Sequence, residues 1–423
     1  MVKPKNKNSQ PEKNIKLDKI TQTEKMKQPE KVIPPATSVP GGRFVNCCAK
    51  LKILLKKNLS DIWGWGILIV WLLFTVFSFA ALYYWSDMLK MVEVNSYNIV
   101  IPEKVLNKMQ CEVTHPVTGV CLQVKGEELA YPAEDLEKAK IYAVMVENHT
   151  AARPQSGLGE ADVVYEALVE GGFTRFMAIF DSLQTVKAIG PVRSARDYYL
   201  WWAQEYNNPV YAHVGGSPKS LDLIAKQGIV DCDEFYHGDI FERVTWRYAP
   251  HNTYVSVSDL GLCRPTKPEA GLWTEIDPWK YTDGEMIKTA DNRVDNIEIS
   301  YSQNANYDVE WQYNEEDGVY YRFNAGQPHL DKNSNQQITA KNVIVMEALS
   351  RVIDDIGRLE MNNIGSGPVL IYTQGTKQKG EWQKDSYSGR TRFVDKAGND
   401  LFLSPGNTWI QVVPSYFNAV TEK

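Results

Sequence analysis

The residues best suited to chemistry stand in "VENHTAARPQSG" (Val146–Gly157), where an apolar run ends in an acid, an amide, an imidazole and a guanidinium. Glu147, Asn148 and His149 leave the C-terminal end of that run, and Arg153 follows on the loop. Open α/β sheets place their ligand crevice at such strand ends. A histidine beside a carboxylate suits acid–base catalysis, because its charge changes near neutral pH. The same groups could instead brace the loop, with Asn148 and His149 bonding its backbone and Arg153 pairing with an acid.

A second group is "GEADVVYEALVEGGFTRF" (Gly159–Phe176), where Asp162, Glu166 and Glu170 are spaced by four. In a strand, successive acids would lie roughly 13 Å apart, too far for a glycosidase pair. In a helix they would be about 6 Å apart, which is compatible. The Val-Val-Tyr run and the Gly-Gly break favour a strand or an irregular segment. Glu147, His149 and Glu166 are the catalytic candidates, and a pair between Glu147 and one of the three acids stays open.

The third group is "IGPVRSARDYY". If Ser194 caps a helix over Ser194–Asn207, Arg193 and Arg196 oppose its dipole unless an anion is present. Backbone N–H groups with two guanidinium forks would hold a phosphate or carboxylate. That anion is either an external ligand or one of Asp162, Glu166 and Glu170. With Asn148, Arg153, Arg175, His213 in "YAHVGGSP" and His251 in "APHNTYVS", these arginines form the candidate ligand-binding set. Gly-x-Ser-x-Gly, P-loop, dinucleotide-binding glycine and His-Glu-x-x-His motifs are missing from the sequence, so no cofactor is expected.

The elements that must position these residues read as α/β in the middle of the chain. "IYAVMVEN", "FTRFMAIFDS" and "PVYAHVGG" are buried strands by their apolar runs. "SPKSLDLIAKQG" is a helix with Ser217 as cap, Pro218 in the first turn and Gly228 at the end. From about Ile297 short strands dominate, among them "KNVIVMEAL", "GPVLIYTQ" and "TWIQVVP". Arg390 and Arg392 alternate there and are expected to form cross-strand ion pairs.

Charge and cysteines divide the chain further. Residues 1–60 hold 14 Lys/Arg against 4 Asp/Glu, which leaves 32 basic and 48 acidic residues in the rest. An acidic body argues against nucleic-acid binding. Ile62–Ser86 carries no charge and is flanked by aromatic belts and by Lys50, Lys52, Lys56 and Lys57. It reads as a membrane span, N-terminus inside and C-terminus outside. Cys111, Cys121, Cys232 and Cys263 then lie in a compartment that permits disulfides, and Cys111–Cys121 with Cys232–Cys263 are the economical pairings. A zinc site at Cys111, His115 and Cys121 fits no familiar spacing, so no metal is expected.

The expected fold class is an α/β N-terminal extracytoplasmic domain plus a β-rich C-terminal domain, preceded by one transmembrane helix. The expected divisions are a disordered basic cytoplasmic tail (1–60), the span (61–86), a stalk (87–131), the α/β module (132–263), a linker (264–294) and the β-rich module (295–423).

Taken together, "VMVENHTAARPQSGLGEADVVYEALVEGGFTRFMAIF", "IGPVRSARDYY", "HVGGSP" and "HNTY" resemble the first module of the YerB-type bacterial lipoprotein family. "GQPHLD", "AKNVIVM", "IGSG", "RTRF" and "PGNTWIQVVP" resemble its second module. The likeness runs from roughly Lys138 to Pro414 and implies a surface-anchored envelope protein, without supplying a reaction. Members are often tethered by a lipid on a cysteine. Here no lipobox is found, and Cys47-Cys48 precede the span.

The reading that follows is a membrane-anchored extracytoplasmic protein that binds an anionic cell-wall glycan or a phosphorylated precursor. The alternatives are an envelope glycan hydrolase or transferase using Glu147 or Glu166 as acid/base, and a scaffold that recruits cell-wall enzymes.

Overall fold

The computed structural model describes residues 91–93, 100–102, 111–124 and 130–423, apart from 264–267, 283, 285, 287, 290 and 416–418. Within the body formed by residues 88–423, the architecture follows from a few strands that are apolar on both faces. Strand β1 (Ile141–Glu147) is buried at all seven positions, as a strand covered on both sides must be. The same holds for β2 (Val163–Leu168) and β3 (Thr174–Asp181). These pair antiparallel, β1 with β3 and β3 with β2.

Beyond them lie helix α1 (Asp197–Ala203), β4 (Val210–His213), helix α2 (Pro218–Gln227) and β5 (Val230–Asp233). Ser217 caps α2 by accepting from the Ser220 N–H, and Gly228 ends it at φ 64°. Both assignments follow the local signals, since a left-handed C-terminal residue favours glycine.

The second half adds β6 (Asn296–Ile299), β7 (Val309–Asn314), β8 (Val319–Asn324) and β9 (Gln327–Pro328). It continues with β10 (Asn342–Glu347), β11 (Gly365–Thr373), β12 (Thr376–Lys384), β13 (Arg392–Val394), β14 (Thr408–Val413) and β15 (Val420–Glu422). One ten-stranded mixed sheet runs in the order β13-β12-β11-β10-β14-β2-β3-β1-β4-β5. Its central joint is the parallel pairing of β14 with β2, Thr408 opposite Val163 through Val412 opposite Ala167. A second sheet has the order β9-β8-β7-β6-β15.

Alternation along β1 shows how three layers form. Tyr142, Val144 and Val146 pack with Ile297, Ile299, Trp311 and Tyr320 of the second sheet. Ile141, Ala143 and Met145 pack with Tyr199 and Trp202 of α1 and Ile224 of α2. The large sheet is thus sandwiched between helices and a smaller sheet.

This corrects the expected fold class. The described body is β-rich, and strands of the first and second halves share one sheet instead of forming an α/β domain followed by a separate β domain. The cause is β14, an apolar strand that finds its partner in β2, some 240 residues earlier. The transmembrane helix is corrected as well: among the described residues no helix is long and apolar enough to cross a membrane. The stretch 61–86 itself lies outside the described residues.

Ser194 does not cap a helix either. Residues 192–195 run as an extended strap, Val192 N bonding Thr253 O, Arg193 N bonding Met145 O and Ala195 N bonding Gly215 O. Those bonds to distant segments hold 192–195 extended, so α1 begins only at Asp197. The strap is held to the 147–157 loop by Ser156 and Gly190, which exchange backbone bonds of 2.8 and 3.1 Å. At Gly157, φ is +85° and a Cβ would meet the Ala188 carbonyl at 2.9 Å, so the loop requires glycine there.

Both economical disulfides form, Cys111–Cys121 and Cys232–Cys263.

Candidate functional site

The end of β1 sends its polar side chains in two directions. Asn148 turns inward and is fully buried. Its Nδ2 donates to Glu166 Oε1 (3.2 Å) and to Thr174 Oγ1 (2.7 Å), and its Oδ1 accepts from Arg153 Nε (3.0 Å) and Gln155 Nε2 (3.1 Å). Glu166 is equally buried, and its Oε2 accepts from Arg322 Nη2 at 2.6 Å. Arg322 also reaches His329 Nδ1, and His329 Nε2 bonds Gln155 Oε1 at 2.8 Å. Burial and the neighbouring Arg322 and Arg153 hold His329 well below its ordinary pKa. It is therefore neutral, with Nε2–H donating to Gln155. Glu166 has both oxygens engaged in this closed network and no water-facing edge, which removes it as an acid/base group.

Glu147 turns the other way. Oε1 accepts from Arg193 Nε (3.1 Å) and Oε2 faces His251 Nδ1 at 2.7 Å. The carboxylate is only 7% exposed, whereas Arg193 and His251 are 27% and 19% exposed. The His149 ring stacks on His251 with centroids 4.9 Å apart and planes 12° apart, and its edge meets Phe173. Arg153 lies over the Tyr307 ring at 5.1 Å, its pKa lowered to about 10 by burial and by Arg322.

Three residues absent from the sequence reading complete this rim. Arg247 donates to the carbonyls of Ala151 (3.0 Å) and Pro154 (2.6 Å) and lies over the Trp246 ring. Lys332 Nζ lies 5.8 Å from the centroid of the same Trp246 ring, and its backbone N bonds Gln155 O. Trp246 is 55% exposed. No local pattern marks these residues, since they meet the loop only through tertiary contacts. Arg322 carried a signal: it sits on the inward parity of β8 with Tyr320 and Asn324.

The other expected site residues take different partners, although Arg175 stands opposite Glu147 across β1 and β3. Arg196 holds Glu170 in a two-pronged pair, Nε to Oε1 at 2.6 Å and Nη2 to Oε2 at 2.7 Å. Its anion is thus internal. Arg175 donates to Ser194 O at 2.7 Å, with its pKa lowered to about 10 by burial and by Arg196. His213 is enclosed, bonded to Asp231 Oδ1 and Gly215 O, both at 2.8 Å. Asp162, Glu166 and Glu170 each take a different partner, as residues on a strand and its flanks would. Arg392 pairs with Asp400 at 2.7 Å, and Arg390 leaves that face to lie over Trp279, 3.6 Å from Glu205.

His115, Asp162 and Asp181 form the one described cluster with metal-ligand atoms within 4.8 Å. Its chemistry does not suit a cation. His115 Nδ1 accepts from the N–H groups of Val117 and Thr118, both at 3.2 Å, so its proton is on Nε2, which faces Asp181. A metal would need that nitrogen's lone pair. Burial, with Asp181 opposite, instead raises Asp162 to about 7.

Comparison with known proteins defines the class of this architecture first. The N-terminal domain of a protein family of unknown function, DUF3048, matches residues 129–267, and its C-terminal domain matches residues 297–410. The chain belongs to this family. It is 34% identical over 276 residues to "Putative lipoprotein YerB" of Bacillus subtilis (strain 168), covering 64% of this chain and 80% of that one. The crystal structure of YerB protein from Bacillus subtilis superposes with a TM-score of 0.63 at 28% identity, over 73% of this chain and all of the other.

Proposed function

We propose that this is an extracytoplasmic cell-envelope protein whose Glu147–Arg193 rim binds an anionic cell-wall glycan or its phosphorylated precursor. The likeness to a protein named a lipoprotein supports the envelope setting. One observation carries the ligand chemistry. Arg153, Arg193, Arg247 and Lys332 gather about the 147–155 loop, and among the described residues the only carboxylate any of them pairs with is Glu147. A surplus of cations on an otherwise acidic body concentrates an anion there, and the exposed Trp246 ring offers a face for a sugar.

Calorimetric titration of the full chain with phosphorylated and dephosphorylated cell-wall glycan tests this. The phosphorylated form binds more tightly, affinity falls as salt rises, and Arg193→Ala or Lys332→Ala weakens it about tenfold, near 1.4 kcal/mol. Equal affinity for both forms, or binding untouched by both substitutions, overturns the proposal.

A further inference from the structure

We propose that the same rim hydrolyses a carboxylic ester carried on its glycan, with His251 as general base and Glu147 as the residue that positions it. The inference rests on the reading of the rim as the ligand site and adds a reaction to it.

The hydrogen bonds of the histidines carry the argument. His115, His213 and His329 each engage both ring nitrogens with protein groups. A histidine that braces a fold is expected to do so when buried. His149 and His251 each leave one nitrogen without a partner among the described residues. In His251, Nδ1 faces the Glu147 carboxylate at 2.7 Å and donates to it, so the neutral ring presents a lone pair at Nε2. In His149, Nδ1 accepts from Ala151 N–H at 3.1 Å, so Nε2 presents an N–H. The two rings are stacked with centroids 4.9 Å apart, so both histidines belong to the same rim. Arg193 spends Nε on Glu147 Oε1, and its terminal N–H groups have no described partner.

A carboxylate that orients an imidazole through Nδ1–H and leaves Nε2 open is the arrangement by which enzymes deprotonate a nucleophile. Among the described residues no hydroxyl or thiol side chain bonds His251, so the nucleophile is water. His251 Nε2 takes a proton as the water oxygen bonds the ester carbonyl carbon. Negative charge then develops on the carbonyl oxygen, where His149 Nε2–H and Arg193 N–H can donate to it. Collapse breaks the bond between that carbon and the sugar oxygen, which takes the proton from His251. The products are a free carboxylic acid and a sugar hydroxyl. Glycosidic cleavage would need a second carboxyl group flanking the bond, and among the described residues Glu147 is the one carboxylate paired with Arg193 and His251.

The test uses the full chain with two probes, 4-nitrophenyl acetate and O-acetylated cell-wall glycan, the latter followed by released acetate. His251→Asn keeps a donor towards Glu147 but has no base. It lowers kcat by about 100-fold or more with KM held within roughly twofold. His251→Ala loses turnover similarly and regains it with added imidazole, a rescue that a structural defect would not show. Glu147→Gln lowers kcat and keeps KM, and His237→Ala, which bonds none of Glu147, His149, Arg193 and His251, changes nothing. No turnover of either ester while Arg193-dependent glycan binding persists overturns the esterase alone, as does turnover that survives in His251→Asn. Loss of both binding and turnover in the unmodified protein overturns the ligand-site reading as well.

Discussion

Asn148 and Glu147 are adjacent in the chain and end in opposite environments. Asn148 joins Glu166, Gln155, Arg322 and His329 in a polar core between the two sheets, where acid, amide and imidazole are all occupied. Glu147 joins Arg193, His251 and His149 at a rim where a lone pair, an N–H and guanidinium hydrogens remain open. The difference follows from strand parity, which sends neighbouring side chains to opposite faces. What it teaches is that polar crowding alone does not mark a site. A carboxylate, amide and imidazole bonded to one another hold the halves together even though Arg322 Nε finds no partner there, whereas capacity left open at the surface is available to a ligand.

The largest effect that would sharpen this contrast lies in the core. Glu166→Gln strands the Arg322 charge with no counter-ion and should cost about 3–5 kcal/mol in denaturant unfolding of the full chain. Replacing both, Glu166→Leu with Arg322→Met, should cost less than the two single changes summed. A single-variant cost below about 1 kcal/mol would place the core on the same footing as an exposed pair and break the comparison.

A third polar region, where His115 and Asp181 face Asp162, falls between the two. Burial raises Asp162 to about 7 from its ordinary 3.8. The native state therefore holds that proton more tightly than the unfolded chain. The associated stability is fully present below pH 4 and is lost as pH rises to about 7, after which the loss levels off. Asp162→Asn should flatten this decline by up to about 4 kcal/mol, read from unfolding curves between pH 4 and 8. An unchanged slope would mean that Asp162 titrates as an exposed acid.

The smallest stability effect is expected at the rim. His149→Ala removes a half-exposed ring and one bond to Ala151 N, and should shift stability by no more than about 1 kcal/mol. A loss as large as that of Glu166→Gln would make the rim a brace like the core.

Much of the scaffold was legible because its signals are local. Continuous apolar runs marked β1 and β3, and Ser217, Pro218 and Gly228 bounded α2. Ser194 misled because a serine before an aromatic run satisfies the capping pattern whether or not distant segments of the chain hold its backbone extended. Here Thr253 and Gly215 do so. Arg193 and Arg196 were legible as anion-seeking groups, and Glu170, which Arg196 takes at 2.6 Å, was among the acids offered for them; Glu147 as the partner of Arg193 at 3.1 Å was not. Trp246, Arg247 and Lys332 had no pattern to betray them.

By itself the sequence determined the strands buried on both faces, the limits of α2, the acidic character of the body and, through its long motifs, the family. The strands and the limits of α2 depend on residues within a few positions of one another, and the charge balance and family motifs need no contact between distant residues. Only the tertiary structure decided that 132–263 and 295–423 share one sheet, that Glu166 is met by Arg322 from 156 residues away, and that His251 reaches Glu147 across 104. Those partnerships are set by strand order and register, which arise from competition among many apolar faces for burial. No window of neighbouring residues contains that competition.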